Sequence, residues 1–188
     1  NETVLDVCAA PGGKSFTLAE LMGNNGRLYS MDLHDMRVGL IEDGAARLGI
    51  KILTAMQNDA SKFNGQLPQA DRVLCDVPCS GLGVIRRKPE IKFKSPEDFA
   101  GLPEIQYQIL ETSARYVKPG GTLVYSTCTL SRAENDDVAK RFAAAHPEFL
   151  PIVQPVPYAG AAGEPMRTYC PDENGGDGFF TAAFRRVK

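Results

Sequence analysis

The sequence predicts an α/β fold: a mostly parallel, twisted sheet with helices on both faces and an antiparallel strand at the C-terminus. Two observations support this prediction. Short apolar runs alternate along the chain with longer segments whose apolar residues recur at helical spacing, which is the order that βαβ units produce. The chain has 188 residues, of which 43% are hydrophobic, so it is large enough for one domain with a single sizeable core.

The predicted elements follow one another from the first residues onward. Strands are expected at 4–8, 27–32, 51–56, 71–78, 122–129 and 177–186. Helices are expected at 15–23, 35–48, 102–117 and 132–146, where apolar residues recur along one face. Pro78 ends the fourth strand because proline has no amide hydrogen to donate. Segments 79–100 and 147–176 are expected to be connections, with 149–153 as the only strand in the second.

The composition excludes several classes of protein. A net charge of −2 gives no general attraction to nucleic acid or to an anionic membrane, so RNA binding needs a local basic patch or another domain. No run approaches the roughly 20 apolar residues of a membrane span, and no secretory signal opens the chain, which indicates a cytoplasmic protein. Five widely spaced cysteines and two histidines indicate reduced thiols and no metal site. We expect a monomer.

Three strand ends outline a ligand pocket, since ligands of such sheets bind beyond the carboxyl ends of the strands. The first strand runs into the glycine turn of "DVCAAPGGK", where a helix N-terminus offers amides to a carboxylate or phosphate. Asp32 ends the second strand and could bind ribose hydroxyls, or cap the next helix. Asp59 follows the third and could accept an adenine amino group, or cap a turn. Both S-adenosylmethionine and NAD fit this outline.

Two cysteines follow the next two strands, Cys79 after "DVP" and Cys128 in "STCT". Because these strands are neighbours in the usual doubly wound order, both thiols should face one crevice beside the cofactor. A single cysteine at such a position is more often a small buried hydrophobe, and this interpretation is kept for Cys8 and Cys75, which are expected inside apolar strands. A redox disulfide between Cys79 and Cys128 lacks the C-x-x-C spacing that favours it.

Together these stretches resemble a known family. "DVCAAPGGK", "DVPCSGLG", "YSTCT" followed by the acidic "SRAENDD", and the terminal "DGFFTA" are similar to the RNA cytosine-5 methyltransferases, closest to the bacterial 16S rRNA enzymes of the B (Sun/Fmu) type. The resemblance implies a Rossmann-like methyltransferase fold over residues 1–188 and methyl transfer from S-adenosylmethionine to carbon 5 of a cytosine in RNA, most simply 16S rRNA. It also implies that an upstream RNA-binding domain is absent here, so this chain should bind cofactor but bind RNA poorly and methylate it slowly or not at all.

The resemblance also assigns roles to residues. The cofactor site comprises Cys8, Ala9, Ala10, Pro11, Gly12, Gly13, Lys14, Asp32, Asp59 and Asp76. Cys128 is the nucleophile and Cys79 assists product release. Lys14 is a candidate for lowering the thiol pKa, and a neutral carboxyl at Asp76 could hydrogen-bond to ring nitrogen 3. The pattern of DNA cytosine-5 methyltransferases would instead make Cys79 the nucleophile; "STCT", "CAAPGGK" and "DGFF" favour the RNA pattern.

A basic segment at 84–97 is the candidate RNA contact. It contains Arg86, Arg87, Lys88, Lys92 and Lys94, with Phe93 available to stack on a base. The alternative is an ordinary solvated run of charge. Two other functions stay open on the sequence alone: a non-catalytic RNA-binding or ribosome-assembly factor, and a nucleotide-dependent oxidoreductase on the same sheet.

Overall fold

A computed structural model describes residues 1–154 and 163–188 of the chain. Its strands are β1 Thr3–Asp6, β2 Arg27–Asp32, β3 Leu53–Gln57, β4 Ala70–Asp76, β5 Val117–Thr127, β6 Phe149–Pro151, β7 Met166–Tyr169 and β8 Phe179–Arg186. Its helices are α1 Gly13–Leu21, α2 Asp35–Leu48, α3 Leu102–Ala114, α4 Asp136–Ala145 and the short α5 Pro171–Asn174. Three short 3₁₀ turns, Leu82–Val84, Pro89–Phe93 and Pro96–Phe99, lie between β4 and α3.

The strands form one mixed sheet. Within the described ranges its order is β3-β2-β1-β4-β5-β8-β6, and β7 also pairs with β8. All pairs from β3 to β5 are parallel, whereas β8 runs antiparallel to β5, β6 and β7. Strand order therefore reverses between β1 and β4, and the carboxyl ends of five parallel strands meet along one edge. That edge is where sheets of this kind bind ligands.

Helices pack on both faces because neighbouring strand residues point to opposite sides of the sheet. Leu5 of β1 belongs to the main core under α3 and α4, while the adjacent Val4 packs with Ala19 of α1. The largest side chains of the main core are fully buried aromatics, and the ring centroids of Phe142 and Phe184 lie 5.1 Å apart, edge to face. Burial of this apolar surface is the main stabilising contribution to the fold.

The predicted α/β fold, the antiparallel last strand and helix 35–48 are confirmed, and several boundaries are wrong. Strands β1 and β4 end at Asp6 and Asp76, not at Cys8 and Pro78, so Cys8 lies in the turn after β1 instead of inside it. Helix α3 ends at Ala114 and β5 already begins at Val117. The expected "KPGG" turn is therefore part of β5, where it forms a bulge opposite residues 70–72 of β4.

The late connection was also incompletely predicted. Strand β7 and helix α5 were missed because the sequence around them is rich in proline, glycine and polar residues, which carries no periodicity of either kind. Strand β6 is shorter than the expected 149–153. Residues 155–162 of this predicted connection lie outside the described residues.

Candidate active site

The glycine turn after β1 presents backbone to the carboxyl edge of the sheet. The Ala10–Pro11 peptide is cis, and Gly12 has φ 109°, a conformation that favours glycine. Gly12 is the N-cap of α1 and makes no side-chain cap hydrogen bond, so the first amides of the helix are left for another acceptor. The turn is tied to the next helix, since Arg37 donates to the Ala10 carbonyl at 2.7 Å.

The two acidic residues expected at a nucleoside have local partners. Asp32 is 4% exposed; it accepts the His34 amide at 3.1 Å and forms an ion pair with Arg37 at 3.2 Å. Asp59 accepts the amide and hydroxyl of Ser61 and pairs with Lys62, whose hydrogen bond lowers the pKa of Asp59. Asp59 therefore caps a turn, which was its structural alternative, whereas the N-cap of α2 is His34 and not Asp32. Their roles toward a cofactor stay predictions.

Asp6 is a buried carboxyl at this edge with no role in the sequence prediction. It accepts the last of two consecutive hydrogen bonds: Ser30 donates to Ser15 and Ser15 donates to Asp6, both at 2.7 Å. The other oxygen of Asp6, Oδ1, is buried without a hydrogen-bond partner among the described residues. Burial raises the pKa of Asp6 to about 7, against the opposing effect of the Ser15 hydrogen bond. Asp6 was placed in the strand by its pattern, and nothing in the pattern indicated its titration.

Lys14 and Asp76 form an ion pair across the switch point. Lys14 Nζ lies 2.7 Å from Asp76 Oδ2, and Ser126 donates to Asp76 Oδ1 at 2.7 Å. Both oxygens of the Asp76 side chain are therefore engaged by neighbours within the site. The donor role of Asp76 toward a cytosine ring nitrogen stays a prediction.

The structure brings the two predicted thiols into contact. Cys79 Sγ and Cys128 Sγ lie 3.3 Å apart, within hydrogen-bond range for sulfur, and the Cys128 amide donates to Cys79 Sγ at 3.3 Å. Both side chains are half-buried. Since the Cys79 sulfur accepts the amide, its own S–H is available to point at Cys128. The expectation that the two cysteines lie side by side is confirmed, and their position beside a cofactor stays a prediction.

This contact makes the two thiols unequal. The hydrogen bond from Cys79 lowers the pKa of Cys128 to about 7, with help from the Lys14 ammonium and against burial and the Asp76 charge. The same hydrogen bond raises the pKa of Cys79, because that thiol must keep its proton to donate it. Burial raises the pKa of Cys8 and of Cys75, the latter to about 12, which makes both poor nucleophiles. The arrangement can therefore supply one thiolate and one thiol near neutral pH.

Gly83 and Gly178 allow the backbone before β8 to pack against the segments that carry Cys79 and Cys128. The Gly83 amide donates to the Cys128 carbonyl at 3.0 Å, and the Gly178 amide donates to the Gly83 carbonyl at 2.8 Å. A side chain on Gly83 would collide with the Gly178 backbone. The glycines of "SGLG" and "DGFF" are thus required by close backbone approach, which explains why both stretches occur in one sequence.

The basic segment divides into anchored and exposed residues. Arg86 donates to the carbonyls of residues 175 and 176 at 3.0 and 3.1 Å, and Arg87 forms an ion pair with Asp177, so both hold the loop before β8. Lys88 and Lys92 are exposed and form no ion pair with the described residues. Phe93 is 90% exposed, whereas its neighbour Ile91 is buried and anchors the turn.

Four buried polar side chains around the thiols were missed at the sequence level: Ser80, Gln106, Glu134 and Asn135. Glu134 and Asn135 stand in the quoted "SRAENDD", so the motif contained the signal without indicating a role. Over residues 1–154 and 163–188, no group of three or more His, Cys, Asp or Glu side chains could hold a metal ion. Over the same ranges, no helix is long and apolar enough to cross a membrane.

Comparison with solved structures identifies the class. The crystal structure of NSun6 from Pyrococcus horikoshii with SFG superimposes with a TM-score of 0.87 at 30% identity, over 100% of this chain and 48% of that one. The fold is that of the Rossmann-like, S-adenosylmethionine-dependent methyltransferases. The fold class that the resemblance implied is confirmed.

Comparison with protein families identifies the family of this chain. A model described as 16S rRNA methyltransferase RsmB/F matches residues 1–185, and the chain belongs to this family. The "Probable ribosomal RNA small subunit methyltransferase B" of Bacillus subtilis is 48% identical over 99% of this chain. The protein of the same name from Synechocystis sp. is 38% identical over 99% of this chain. The chain spans 43% of the length of each of these relatives.

Proposed function

We propose that this chain is the catalytic domain of an RNA methyltransferase that transfers a methyl group from S-adenosylmethionine to carbon 5 of a cytosine in 16S rRNA. The observation that carries the proposal is the contact of Cys79 and Cys128, 3.3 Å apart beside the glycine turn and the Lys14–Asp76 pair. Methylating an unreactive ring carbon needs a nucleophile to activate the ring and a second group to help release it, and two unequal thiols supply both.

The carboxyl edge fits the cofactor in two respects. The uncapped start of α1 offers amides to a carboxylate, and Gly13 is exposed with open space where a side chain would stand. In this proposal the turn Cys8–Lys14 holds the methionine part, Asp32 the ribose and Asp59 the adenine amino group, with Asp76 beside the transferred group. S-adenosylmethionine supplies the methyl group to be transferred.

Cys128 acts as the nucleophile. Carbon 5 of cytosine is a weak nucleophile, so the Cys128 thiolate first adds to carbon 6, and the electron pair of the 5,6 double bond moves into the ring to make an enamine. A pKa near 7 keeps a large fraction of Cys128 ionised at neutral pH without the loss of nucleophilicity that a very low pKa brings. Lys14 stabilises that thiolate.

Cys79 assists the release step. After methylation, carbon 5 must give its proton to a water molecule acting as base, so that the electron pair can restore the double bond and expel the Cys128 thiolate. Cys79 lies next to Cys128 and can hydrogen-bond to the departing sulfur as its charge returns. Loss of Cys79 should therefore leave the adduct formed and slow its breakdown.

Lys88, Lys92 and Phe93 are the proposed RNA contacts of the basic segment. The two ammonium groups are exposed for phosphates, and the exposed Phe93 ring offers a face for stacking. Arg86 and Arg87 contribute to binding by holding the neighbouring loop, because their side chains are already engaged there.

Methyl transfer tests the proposal directly. The full-length enzyme, of which this chain is the proposed catalytic domain, is incubated with 16S rRNA and S-adenosylmethionine labelled in its methyl group, and the RNA is digested to nucleosides. We expect the label in 5-methylcytidine, and loss of labelling in Cys128→Ser. Label in another nucleoside would show that the reaction class is wrong. NAD in place of S-adenosylmethionine should not raise the melting temperature of the protein.

A further inference from the structure

The residues on both sides of Cys79 are held by two buried side chains. The Pro78 carbonyl accepts a hydrogen bond from Gln106 Nε2 at 2.9 Å. On the other side, the Ser80 amide donates to Glu134 Oε2 at 2.8 Å and the Ser80 hydroxyl donates to Glu134 Oε1 at 2.6 Å. Gln106 Nε2 also donates to Glu134 at 3.0 Å, so the two side chains that hold the Cys79 loop are hydrogen-bonded to each other. The backbone of Cys79 is thereby fixed before and after its Cα atom.

The residues on both sides of Cys128 are held by one side chain. Thr127 donates its hydroxyl to Asn135 Oδ1 at 2.5 Å, and Asn135 Nδ2 donates to the Thr129 carbonyl at 2.9 Å. Asn135 is adjacent in sequence to Glu134, and the hydroxyls of Thr129 and Ser80 lie 2.8 Å apart. One dipeptide therefore contacts the neighbours of both cysteines.

The burial of this dipeptide indicates that its polar groups are there to make these contacts. Glu134 is 3% exposed and Asn135, which carries no charge, is 1% exposed. A carboxylate is costly to bury unless donors surround it, and here the donors come from the Cys79 loop and from Gln106. Helix α4 begins only at Asp136, one residue after the dipeptide, so both side chains stay on the irregular turn that faces the thiols.

We propose that Glu134 and Asn135 are positioning residues that set the distance between the two thiols, Glu134 through the Cys79 loop and Asn135 through the Cys128 loop. Neither residue is assigned a role by the proposed chemistry. The consequence for methyl transfer rests on the proposed function, whereas the positioning itself can be tested on the thiols alone. Loss of either contact lets one loop move, lengthens the 3.3 Å sulfur contact and removes the hydrogen bond that Cys79 gives to Cys128.

The test is the pH profile of alkylation of the free chain by iodoacetamide, read at each cysteine by peptide mass spectrometry, for Glu134→Gln and Asn135→Asp. Glu134→Gln sets an NH₂ group against donors of Ser80 or Gln106. Asn135→Asp replaces the amide by a carboxylate, so the donation to the Thr129 carbonyl is lost. Asp137→Asn is the matched control, because Asp137 is an exposed acid of the same segment. Cys75, which is 0% exposed, reports in every sample whether the core has opened.

Wild type and Asp137→Asn should show Cys128 alkylation with a midpoint near pH 7. Glu134→Gln and Asn135→Asp should raise that midpoint by about one to two pH units, toward an ordinary thiol, with Cys75 still protected. The groups that act on Cys128 from its surroundings are Cys79, Asp76 and Lys14, and all of them remain in the variants. Asn135→Asp adds a carboxylate that itself raises the midpoint, so Glu134→Gln, which removes a charge, is the decisive variant. In the methyl-transfer assay, kcat should fall roughly tenfold with KM for RNA unchanged.

Three results would overturn the proposal. The first is an unchanged midpoint in both variants with Cys75 protected. The second is a lower midpoint in Glu134→Gln, which would mean that the Glu134 charge acts on the thiol through its field and not through the loop. The third is labelling of Cys75 in both variants, which would assign the dipeptide to the stability of the whole fold. Since alkylation uses neither RNA nor cofactor, a failure of the proposed function would leave this test intact.

Discussion

The sulfur atoms of Cys79 and Cys128 lie 3.3 Å apart, although the two residues are 49 positions apart in the sequence. Parallel pairing of β4 with β5 explains this, because it sets Asp76 opposite Ser126 and so starts both cysteine loops at the same height on the sheet. The contact gives one thiol a lowered pKa and the other a raised one. Two identical side chains thereby differ in how readily each loses its proton.

The sulfur contact predicts that a mild oxidant will join the two cysteines. Hydrogen peroxide first converts the Cys128 thiolate to a sulfenic acid, and the Cys79 thiol then displaces water to form the disulfide. Peptide mapping without reductant should find the 79–128 cross-link in wild type and none in Cys79→Ser. A dominant cross-link that involves Cys8 or Cys75 would contradict the geometry.

Lys14 should tune the reactive thiol less than Cys79 does, because the Cys79 hydrogen bond is the larger cause of the lowered pKa of Cys128. Replacing Lys14 by Met should raise the alkylation midpoint of Cys128, and Cys79→Ala should raise it further. Lys140→Met removes an exposed ion pair with Asp136 and should leave the midpoint unchanged. The reverse order of the Lys14 and Cys79 effects would show that charge, not the thiol contact, controls Cys128.

Asp6 should make the fold less stable as the pH rises. Its folded pKa is raised from 3.8 to about 7 by burial, so the folded state binds more protons than the unfolded state between these values. Stability from this group is therefore full below about pH 4 and is lost as the pH rises toward 7, by a few kcal/mol at most. Urea unfolding at pH 5 and pH 7.5 should show this loss in wild type and a smaller loss in Asp6→Asn. Equal losses in both proteins would rule it out.

Gly83 should tolerate no side chain. A methyl group there meets the Gly178 backbone, so Gly83→Ala should lower the free energy of unfolding by about 1–3 kcal/mol and disturb the Cys128 loop. Gly101→Ala is the control, since Gly101 has open space around it and an ordinary φ of −85°. Urea midpoints measure both variants. Similar midpoints for the two would mean that the backbones separate easily.

The sequence predicted the fold and the pair of neighbouring cysteines better than the surroundings of the site. Helix 35–48 was predicted with its observed ends because apolar periodicity and the terminal Gly49 agree there. The two cysteines were placed together because each follows a strand of one parallel sheet, a relationship that topology fixes.

The remaining misses have physical causes. Helix α4 was expected from 132, yet it begins at Asp136, because the Glu134 and Asn135 side chains are used by loops that include residues far away in the sequence. Arg86 and Arg87 hold the 175–177 loop, a contact between segments that no local pattern encodes, and their contact with RNA stays a prediction. Local periodicity predicts elements, while partners of buried polar groups depend on the assembled fold.

The most direct measurement of the central claim is covalent trapping on RNA that contains 5-fluorocytosine. The fluorine at carbon 5 cannot leave as a proton does, so the methylated adduct stays attached to its nucleophile. With S-adenosylmethionine present, wild type and Cys79→Ala of the full-length enzyme should give an RNA–protein adduct on denaturing gels, and Cys128→Ala should give none. An adduct in Cys128→Ala together with none in Cys79→Ala would contradict the account and make Cys79 the nucleophile.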